Sequence, residues 1–590
     1  MVDFSRTADP FLGKSEKSLL YLGKSVDDTE MWLTDDQIRT HTFVTGSTGS
    51  GKSELLISMA ANAMAWGSGV TIIDGKSDMS LFAKLHAVAT SLGREDDIYV
   101  LNFMQGQSGA THAFRSHTIN PLASMAGDEI LQFVSSFVEE SSSGDHAMWR
   151  GRAIALMGAI IPMLVWCRDE MNIPFGFDRL REASSLTGVI DLLDQAIEYR
   201  APERITAGLR GYLLSLPGFV SGKTNQSSTT NDQHGYLSMQ FTRMFGLIAD
   251  HYDHIFGSLT PDVDLADVVK NRRILIVLLP SLEKSSSEIG SIGRMLVSLL
   301  KSLMGKALRS TVEGEWDTVV GKRATHVEPP YLVIMDEVGH YMSDGMGLMA
   351  AQARSLGIGL VFATQEVDSM YSKNSAEASA ILANTNTKIF LKAENPGGAN
   401  LGSLIRIITE QDRHIRAIEK EIHGAKVGIH HFNLHYAEPW NASYNVEAMS
   451  RLHDQALAKA RSNPPNTFET RLQMLQPGQM LVVHGGRNKW GYAPFIQIEG
   501  NRHRIALSRF YETSSFVQYW MDVEAKRKRM RSLRRRLSSA AKQAVEAEGR
   551  QEKMRPERQA VAIAVSVLDE IMSAQQVLRV PKNLFTFPEC

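Results

Sequence analysis

The sequence is poor in cysteine and in net charge. It has two cysteines among 590 residues, Cys167 and Cys590, so a disulfide framework is excluded and a reducing compartment is favoured. The formal net charge is −2, and the overall composition therefore argues neither for nor against a nucleic-acid partner. With 43% hydrophobic residues the chain can fill several cores, and its length predicts roughly two to four domains.

The sequence also lacks a leader peptide and a long uninterrupted apolar run. Its first residues, MVDFSRTADP, contain no basic segment followed by an apolar one, which is the pattern of a signal peptide. The longest nearly uninterrupted apolar run, Ala153–Cys167, contains Pro162 and is shorter than the ~18 residues that a membrane-spanning helix needs. We interpret this run as a buried helix and expect a soluble chain.

A glycine-rich stretch follows a short apolar run near the N-terminus. Gly46–Ser53 fits the pattern G-x-x-x-x-G-K-[ST], with the β-prone run Thr42–Thr45 before it and a helical pattern over Leu55–Trp66 after it. Glycines allow such a loop to direct backbone N–H groups at phosphate oxygens, and the helix directs its positive end at the same anion. The predicted nucleotide-binding residues are Gly46, Ser47, Thr48, Gly49, Ser50, Gly51, Lys52, Ser53 and Glu54.

A second motif, far downstream, carries two acids. The apolar run Tyr331–Met335 predicts a buried strand, and Asp336 and Glu337 follow it directly. In P-loop NTPases an acid at this position holds Mg²⁺, and an adjacent glutamate can activate the attacking water. Lys52 would reach the β- and γ-phosphates, and the Ser53 hydroxyl would ligate the metal. The expected cofactors are therefore ATP and Mg²⁺, with Ser53 and Asp336 as metal ligands.

Two more residues are candidates for catalysis. Gln365 follows a strand expected to neighbour the acidic strand, where a polar side chain can sense the γ-phosphate; the alternative is ordinary capping of a strand end. Arg354 is a candidate arginine finger that reaches the nucleotide of a neighbouring subunit, and the alternative is a surface arginine. Arg294 is a weaker candidate for the same role.

The order of strand and helix patterns predicts the domain organisation. Strands and helices alternate over 1–127, helices alone fill 128–260, strands return over 261–515, and 516–590 reads as a helical, basic extension. We therefore expect an α/β fold in which an all-α domain interrupts a P-loop sheet. The predicted strands are Leu19–Leu22, Met31–Leu33, Thr42–Thr45, Gly69–Asp74, Ile98–Asn102, Arg273–Leu279, Tyr331–Met335, Gly359–Ala363, Thr387–Leu391, Met480–His484 and Ile505–Leu507.

Two charged or ligating clusters give weaker signals. The basic cluster Lys526–Arg536 could contact DNA phosphates or anionic lipid headgroups, and the alternative is a solvated helix face. Four histidines near a predicted loop could hold a metal, but without a cysteine or a recognised ligand spacing a metal site is not favoured. These histidines are His423, His430, His431 and His435.

The combined motifs resemble the coupling-protein ATPases of type IV secretion and conjugation systems. These are TraD/TraG-like members of the FtsK–HerA group, and the sequence is most similar to the branch containing DotL and TrbC. The resemblance covers residues 20–510. It is carried by Thr40–Ser53, Ile73–Asp78, Gly93–Asp97, Ile119–Leu122, Asp145–Arg152, Leu278–Lys284, Tyr331–Glu337 and Ala363–Gln365.

This resemblance implies a RecA-like nucleotide-binding domain interrupted by an all-α domain, and a homo-hexameric ring with nucleotide between subunits. It implies delivery of a relaxase–DNA complex, or of secreted protein substrates and their adaptors, to the inner-membrane components of the secretion channel. By motif position the catalytic residues are Lys52, Asp336, Glu337, Gln365 and, as the finger, Arg354. Family members usually carry transmembrane helices before the P-loop. No such helix is recognised before Gly46 in this sequence. We therefore expect a cytoplasmic protein that is peripheral at the inner membrane, and that is either docked there by partners or a truncated chain.

Two other functions fit the same motifs. A recruitment platform would bind substrates and adaptors, and nucleotide would mainly drive its assembly. A cytosolic HerA/FtsK-like DNA translocase suits the missing membrane segment but fits the large helical insertion less well. An ABC transporter subunit is disfavoured because the sequence contains no LSGGQ-type signature.

Overall fold

The computed structural model describes most of the N-terminal 500 residues. The described residues are 13–104 except 16, 116–138, 144–308 except 224 and 282, 315, 329–394, 396, 400–406, 467–497, 505 and 507. The chain divides into two compact units, Met1–Arg509 and Phe510–Cys590, and every described residue belongs to the first. The basic cluster, the four histidines and the helical C-terminal extension predicted above lie outside the described residues.

The described part of the chain contains one sheet of eleven strands, in the order β2-β1-β11-β10-β9-β3-β8-β7-β4-β6-β5. Seven adjacent strands, from β9 to β5 in this order, are parallel, and the remaining pairs are antiparallel. The strands are β1 Ser18–Ser25, β2 Glu30–Thr34, β3 Thr42–Thr45, β4 Val70–Asp74, β5 Ile98–Asn102, β6 Ile274–Leu278, β7 Tyr331–Asp336, β8 Ile358–Thr364, β9 Thr387–Phe390, β10 Gln479–His484 and β11 Arg487–Tyr492.

Helices cover both faces of the parallel strands. The α-helices are α1 Asp35–Ile38, α2 Lys52–Ala65, α3 Met79–Ser91, α4 Gly127–Ser135, α5 Gly144–Met171, α6 Phe177–Ala183, α7 Leu186–Glu198, α8 Glu203–Leu214, α9 Ser228–Met239, α10 Thr242–Phe245, α11 Asp253–Phe256, α12 Leu265–Lys270, α13 Ser286–Leu308, α14 Val338–Tyr341, α15 Met346–Ala353, α16 Val367–Lys373, α17 Ser375–Asn384 and α18 Thr467–Gln473. The described residues also form a π-helix, Gly246–His251, short 3-10 turns at Glu95–Asp97, Pro121–Ala123 and Arg354–Leu356, and a helical stretch over 400–406.

Two hydrophobic cores lie on opposite faces of the sheet because successive strand side chains point to opposite sides. Phe43 of β3 belongs to the core shared with helices α4 to α18, whereas its neighbour Val44 belongs to the core under α2 and α3. Strands β3, β4, β6, β7 and β8 are buried along their whole length. This burial explains their near-continuous Val, Ile and Leu content.

Helix α5 is the long central helix of the helical segment. Among the described residues, one helical stretch, Met148–Met171, is long and apolar enough to cross a membrane by length and composition, with a mean hydropathy of 1.4. Half of the most apolar 18-residue segment of this stretch (50%) is buried, and Leu156, Ile160 and Leu164 lie in the core. The prediction of a buried helix over Ala153–Cys167 is therefore confirmed.

The predicted element pattern is largely confirmed. No strand interrupts the described helices between Gly127 and Phe256, and the buried strands lie where the apolar runs placed them. One prediction at the sheet edge was wrong. Ile505 and Leu507 lie outside every strand, and the position next to β10 is filled by β11, which then pairs with the β1–β2 hairpin.

Candidate functional site

The glycine-rich stretch Gly46–Ser53, called the P-loop below, runs from the carboxyl end of β3 to the first turn of α2. Gly51 caps α2 with φ +96°, a conformation that favours glycine, and Lys52 is the first helical residue. The backbone of the loop is braced from outside, since the Ser47 N–H donates to Lys392 O at 2.8 Å and the Gly478 N–H donates to Ser50 O at 2.9 Å. These two hydrogen bonds anchor the loop to the segments that follow β9 and precede β10.

Two hydroxyl groups inside the loop are buried without a partner. Within the described residues, neither Ser47 Oγ nor Ser50 Oγ has a hydrogen-bond partner. Buried polar atoms are normally hydrogen-bonded, and each exception points to a missing group. Backbone amides, two free hydroxyls and the Lys52 ammonium form a donor set that matches phosphate oxygens.

The acids that follow β7 meet the P-loop lysine. Lys52 Nζ lies 3.1 Å from Asp336 Oδ1 and forms a second ion pair with Glu337 Oε1. All three side chains are at most 4% exposed. Glu337 has a left-handed backbone with φ +51°, and its N–H donates to Asp336 Oδ1 at 2.9 Å. A left-handed glutamate is strained, and such strain clusters at functional sites.

Gln365 connects the P-loop to the acids. It follows β8, which lies between β3 and β7, so the predicted neighbourhood of the Gln365 strand and the acidic strand is confirmed. The Gln365 N–H donates to Glu337 Oε2 at 3.2 Å, and the Thr48 hydroxyl donates to Gln365 Oε1 at 3.2 Å. Gln365 therefore links Thr48 of the loop to the Glu337 carboxylate.

The sequence analysis gave no role to two residues of this site, Asp74 and Lys76. Strand β4 pairs with β7 so that Asp74 lies opposite Asp336, and Lys76 Nζ lies 2.8 Å from Glu337 Oε1. The signal was present in the sequence, since the run Gly69–Asp74 ends on an acid followed by a glycine and a lysine. It could not be used before the strand order was known.

The charges of the site oppose one another. Burial raises the pKa of Glu337, but the ammonium groups of Lys52 and Lys76 outweigh burial, and the net pKa is lowered. Burial also raises the pKa of Asp74, against the N–H groups of Lys76 and Asp78, and the nearby Asp336 adds to the increase. The pKa of the buried Tyr341 is raised by burial and then by the three carboxylates. Glu337 is thus held in the charged form that a general base needs.

The donor set also fits a magnesium ion that is shared with phosphates. In the described part of the chain, no group of three or more His, Cys, Asp or Glu side chains is arranged to hold a metal. Mg²⁺ in nucleotide sites takes only one or two protein ligands, and phosphates and waters supply the others. Ser53 at the start of α2 and Asp336 at the end of β7 are oxygen donors of that kind.

The other candidates lie further out. Glu54 forms an ion pair with Lys84 on α3. Arg294 lies on α13, which packs against α14, and donates to Ser291 Oγ at 2.9 Å. Arg354 is exposed and begins the 3-10 turn that leads through Gly357 into β8, whereas Gln365 directly follows β8. A seven-residue strand is about 23 Å long, so Arg354 lies at the opposite edge of the sheet from the P-loop.

Arg354 lines a cleft at the amino edge of the sheet, the side on which the parallel strands begin. Arg39, His41 and Lys388 line the same cleft, which has a volume of about 1170 Å³. His41, almost fully buried, accepts at Nδ1 from the Leu360 N–H at 3.1 Å and donates from Nε2 to Ala350 O at 2.8 Å. It therefore ties the start of β3 to the segment that carries Arg354.

Comparisons with known proteins give one strong relationship. The chain is 40% identical over 382 residues to the type 4 coupling protein DotL of Legionella pneumophila, covering 62% of this chain and 49% of that protein. This chain thus spans about half the length of its curated relative. A family described as the TraM recognition site of TraD and TraG matches residues 330–403, which include β7, β8 and β9.

Solved structures give weaker matches. The plasmid coupling protein TrwB in complex with ADP and Mg²⁺ is 12% identical, with a TM-score of 0.48 over 83% of this chain and 92% of that chain. VirB4 of Thermoanaerobacter pseudethanolicus is 13% identical, with a TM-score of 0.44 over 82% of this chain and 98% of that chain.

Proposed function

We propose that this chain, which is 40% identical over 382 residues to a type 4 coupling protein, is an ATP hydrolase that recruits and delivers substrates in a type IV secretion or conjugation system. One observation carries the ATPase part of the proposal. The P-loop lysine, Lys52, touches both acids that follow β7, although they lie on separate elements and are distant in sequence. That convergence is what phosphoryl transfer in P-loop NTPases requires.

Each residue of the site has a proposed task. Lys52 and the loop amides bind the β- and γ-phosphates, and Glu337 takes a proton from the attacking water. Gln365 senses the γ-phosphate, because its side chain touches Thr48 of the loop and its N–H holds Glu337. Mg²⁺, held by Ser53 and Asp336, would neutralise charge on the phosphates during transfer.

Arg354 can act only on the nucleotide of another subunit, since it lies at the far edge of its own sheet. We therefore propose a homo-hexameric ring in which the amino edge of one subunit meets the P-loop of the next. Such head-to-tail contacts close into rings. The division into 1–127, 128–260, 261–515 and 516–590 is kept as the proposed domain organisation.

The proposed cargo is a relaxase–DNA complex or secreted proteins with their adaptors. The 40% identity to a type 4 coupling protein and the match of residues 330–403 to the TraM recognition site of TraD and TraG support this assignment. The proposed location is the cytoplasmic face of the inner membrane, where the chain would be docked by components of the secretion apparatus.

The experiment that tests this function separates binding from hydrolysis. The purified chain should release phosphate from Mg-ATP. Glu337→Gln should lower kcat by at least about 100-fold while nucleotide still binds, because it removes the base and keeps the shape. Lys52→Ala should lose nucleotide binding. Lys24→Met is the control, since Lys24 is an exposed lysine whose ion pair is with Asp28 and not with a residue of the site. A wild-type chain that neither binds nor hydrolyses ATP would contradict the proposal.

The same variant distinguishes a motor from a platform. In cells that carry the complete secretion system, a motor with Glu337→Gln should no longer deliver substrate. A recruitment platform should retain delivery when hydrolysis is abolished. A DNA translocase should in addition show an ATPase rate that rises with added DNA.

A further inference from the structure

Lys76 is a second cation on the catalytic carboxylate. Its Nζ lies 2.8 Å from Glu337 Oε1, the same oxygen that Lys52 contacts. Glu337 is 3% exposed, whereas the Lys76 side chain is 35% exposed and reaches in from the rim of the site. None of the tasks proposed above requires this lysine.

The loop that carries Lys76 is fixed against the end of β7. The carboxylate of Asp74 accepts the N–H groups of Lys76 and Asp78 at 2.8 and 2.6 Å. Ser77 has a left-handed φ of +56°, and its hydroxyl donates to Leu279 O. Gly75 is pressed so closely against Asp336 and Glu337 that a Cβ would lie 2.9 Å from each. The loop therefore holds Lys76 beside Glu337 independently of the P-loop.

Binding of a nucleotide would take the Lys52 ammonium away from the Glu337 carboxylate. In the structure Lys52 serves the carboxylates, but with nucleotide bound it must serve the phosphates. A buried carboxylate that loses its partner is strongly destabilising. Since Lys76 remains on Glu337, the carboxylate keeps one counter-ion when Lys52 leaves.

We propose that Lys76 is a positioning residue whose ammonium replaces Lys52 on Glu337 and so permits Lys52 to transfer to the phosphates of ATP. This inference rests on the proposed ATPase function. It predicts that Lys76 acts on nucleotide affinity through Glu337 and not by contact with the phosphates or by support of the fold.

A double-mutant cycle on nucleotide affinity tests this coupling. The full chain is titrated with a fluorescent, non-hydrolysable ATP analogue and Mg²⁺, and Kd is measured for wild type, Lys76→Met, Glu337→Gln and the double variant. Lys76→Met should raise Kd by about tenfold, a value reduced from that of a fully buried pair because Lys76 is partly exposed. In the Glu337→Gln background the same change should leave Kd unaltered, because no charge is left to compensate.

Two further variants complete the set. Lys76→Arg keeps the charge and should bind the analogue within a few-fold of wild type. Lys24→Met, the removal of an exposed lysine with a carboxylate partner, should not change Kd.

The outcomes separate this inference from the function beneath it. If Lys76→Met binds like wild type, or if its penalty persists in the Glu337→Gln background, the inference is overturned although the ATPase assignment stands. If the wild-type chain does not bind the analogue, the proposed function is overturned and the inference with it.

Discussion

Gly75 lies where the carboxyl ends of β4 and β7 approach most closely, and it leaves no room for a side chain. A Cβ at this position would lie 2.9 Å from the backbone oxygen of Asp336 and 2.9 Å from Glu337 Cβ. Both contacts are with atoms that cannot rotate away, so the two acids and the loop would have to separate. A side chain at residue 75 would therefore disturb the geometry of the site.

Gly75→Ala should lower the ATPase kcat by about tenfold or more and cost roughly 1–3 kcal/mol of stability, the usual range for overpacking. Steady-state phosphate release and thermal unfolding measure the two effects. Gly211→Ala is the matched control, because Gly211 lies inside α8 with open space around a Cβ, and alanine there should be neutral or stabilising. Equal kcat for Gly75→Ala and wild type would contradict the assigned contact.

Among single residues, the sequence alone identified the site residues that belong to a recognisable motif. The pattern around Lys52 and the apolar strand before Asp336 were enough to place those residues in one site, because the chemistry of phosphate binding constrains both residue type and spacing. Lys76 was missed because its role depends on β4 lying next to β7. Strand adjacency is a long-range property that no local pattern encodes.

His41 shows how elements are joined across the sheet. Its ring bonds to Leu360 N–H on β8 and to Ala350 O on α15, and burial, reinforced by Arg354, lowers its pKa to about 4. The neutral ring is needed because Nδ1 accepts a hydrogen bond. Below its usual pKa of 6.5 the unfolded chain takes up a proton that the folded chain refuses.

Stability should therefore be lost as the pH falls from about 6.5 towards 4, with about 2 kcal/mol lost through His41 by pH 5. His41→Asn removes the titration and tolerates the left-handed φ of +65° at this position. Thermal unfolding of both proteins between pH 8 and pH 5 checks this expectation. The variant should be less stable at pH 8, and the difference should shrink as the pH falls; a constant difference would contradict it.

Element types were predicted best where burial is complete. Strands β3, β4, β6, β7 and β8 are apolar along their length because both faces are covered, so the sequence marked them clearly. Strand β11, with the sequence RNKWGY, is half-exposed and carries no such pattern. Its one local signal is the Gly485-Gly486 turn after β10, with φ of +57° and +83°, a pair typical of tight hairpins.

The proposed catalytic residues lie at opposite ends of the parallel strands. Lys52 and the acids lie at the carboxyl edge of the parallel strands, and Arg354 lies at the amino edge. If each site forms between two subunits, two variants that are inactive alone should regain activity when they assemble together. A Lys52→Ala subunit still offers Arg354, and an Arg354→Ala subunit still offers Lys52.

Co-expression of differently tagged Lys52→Ala and Arg354→Ala chains should restore ATPase activity at roughly a quarter of the sites in a randomly mixed ring. Each variant alone should be nearly inactive, since an arginine finger contributes about 10³–10⁵ to kcat. Activity is measured on mixed complexes purified through both tags. Full activity of Arg354→Ala alone, or no recovery in the mixed complexes, would exclude Arg354 as a residue acting between subunits.

The strand order has a consequence for biosynthesis. Strand β3, which ends in the P-loop, pairs with β8 and β9, and the contact between His41 and Leu360 spans 319 positions of the chain. At the usual 5–20 residues per second, a ribosome needs about 15 to 60 s to produce these partners after β3 has been made. During that interval both edges of β3 lack their final partners. The nascent chain thus holds the complete glycine-rich motif for many seconds before the strands that flank it can pair.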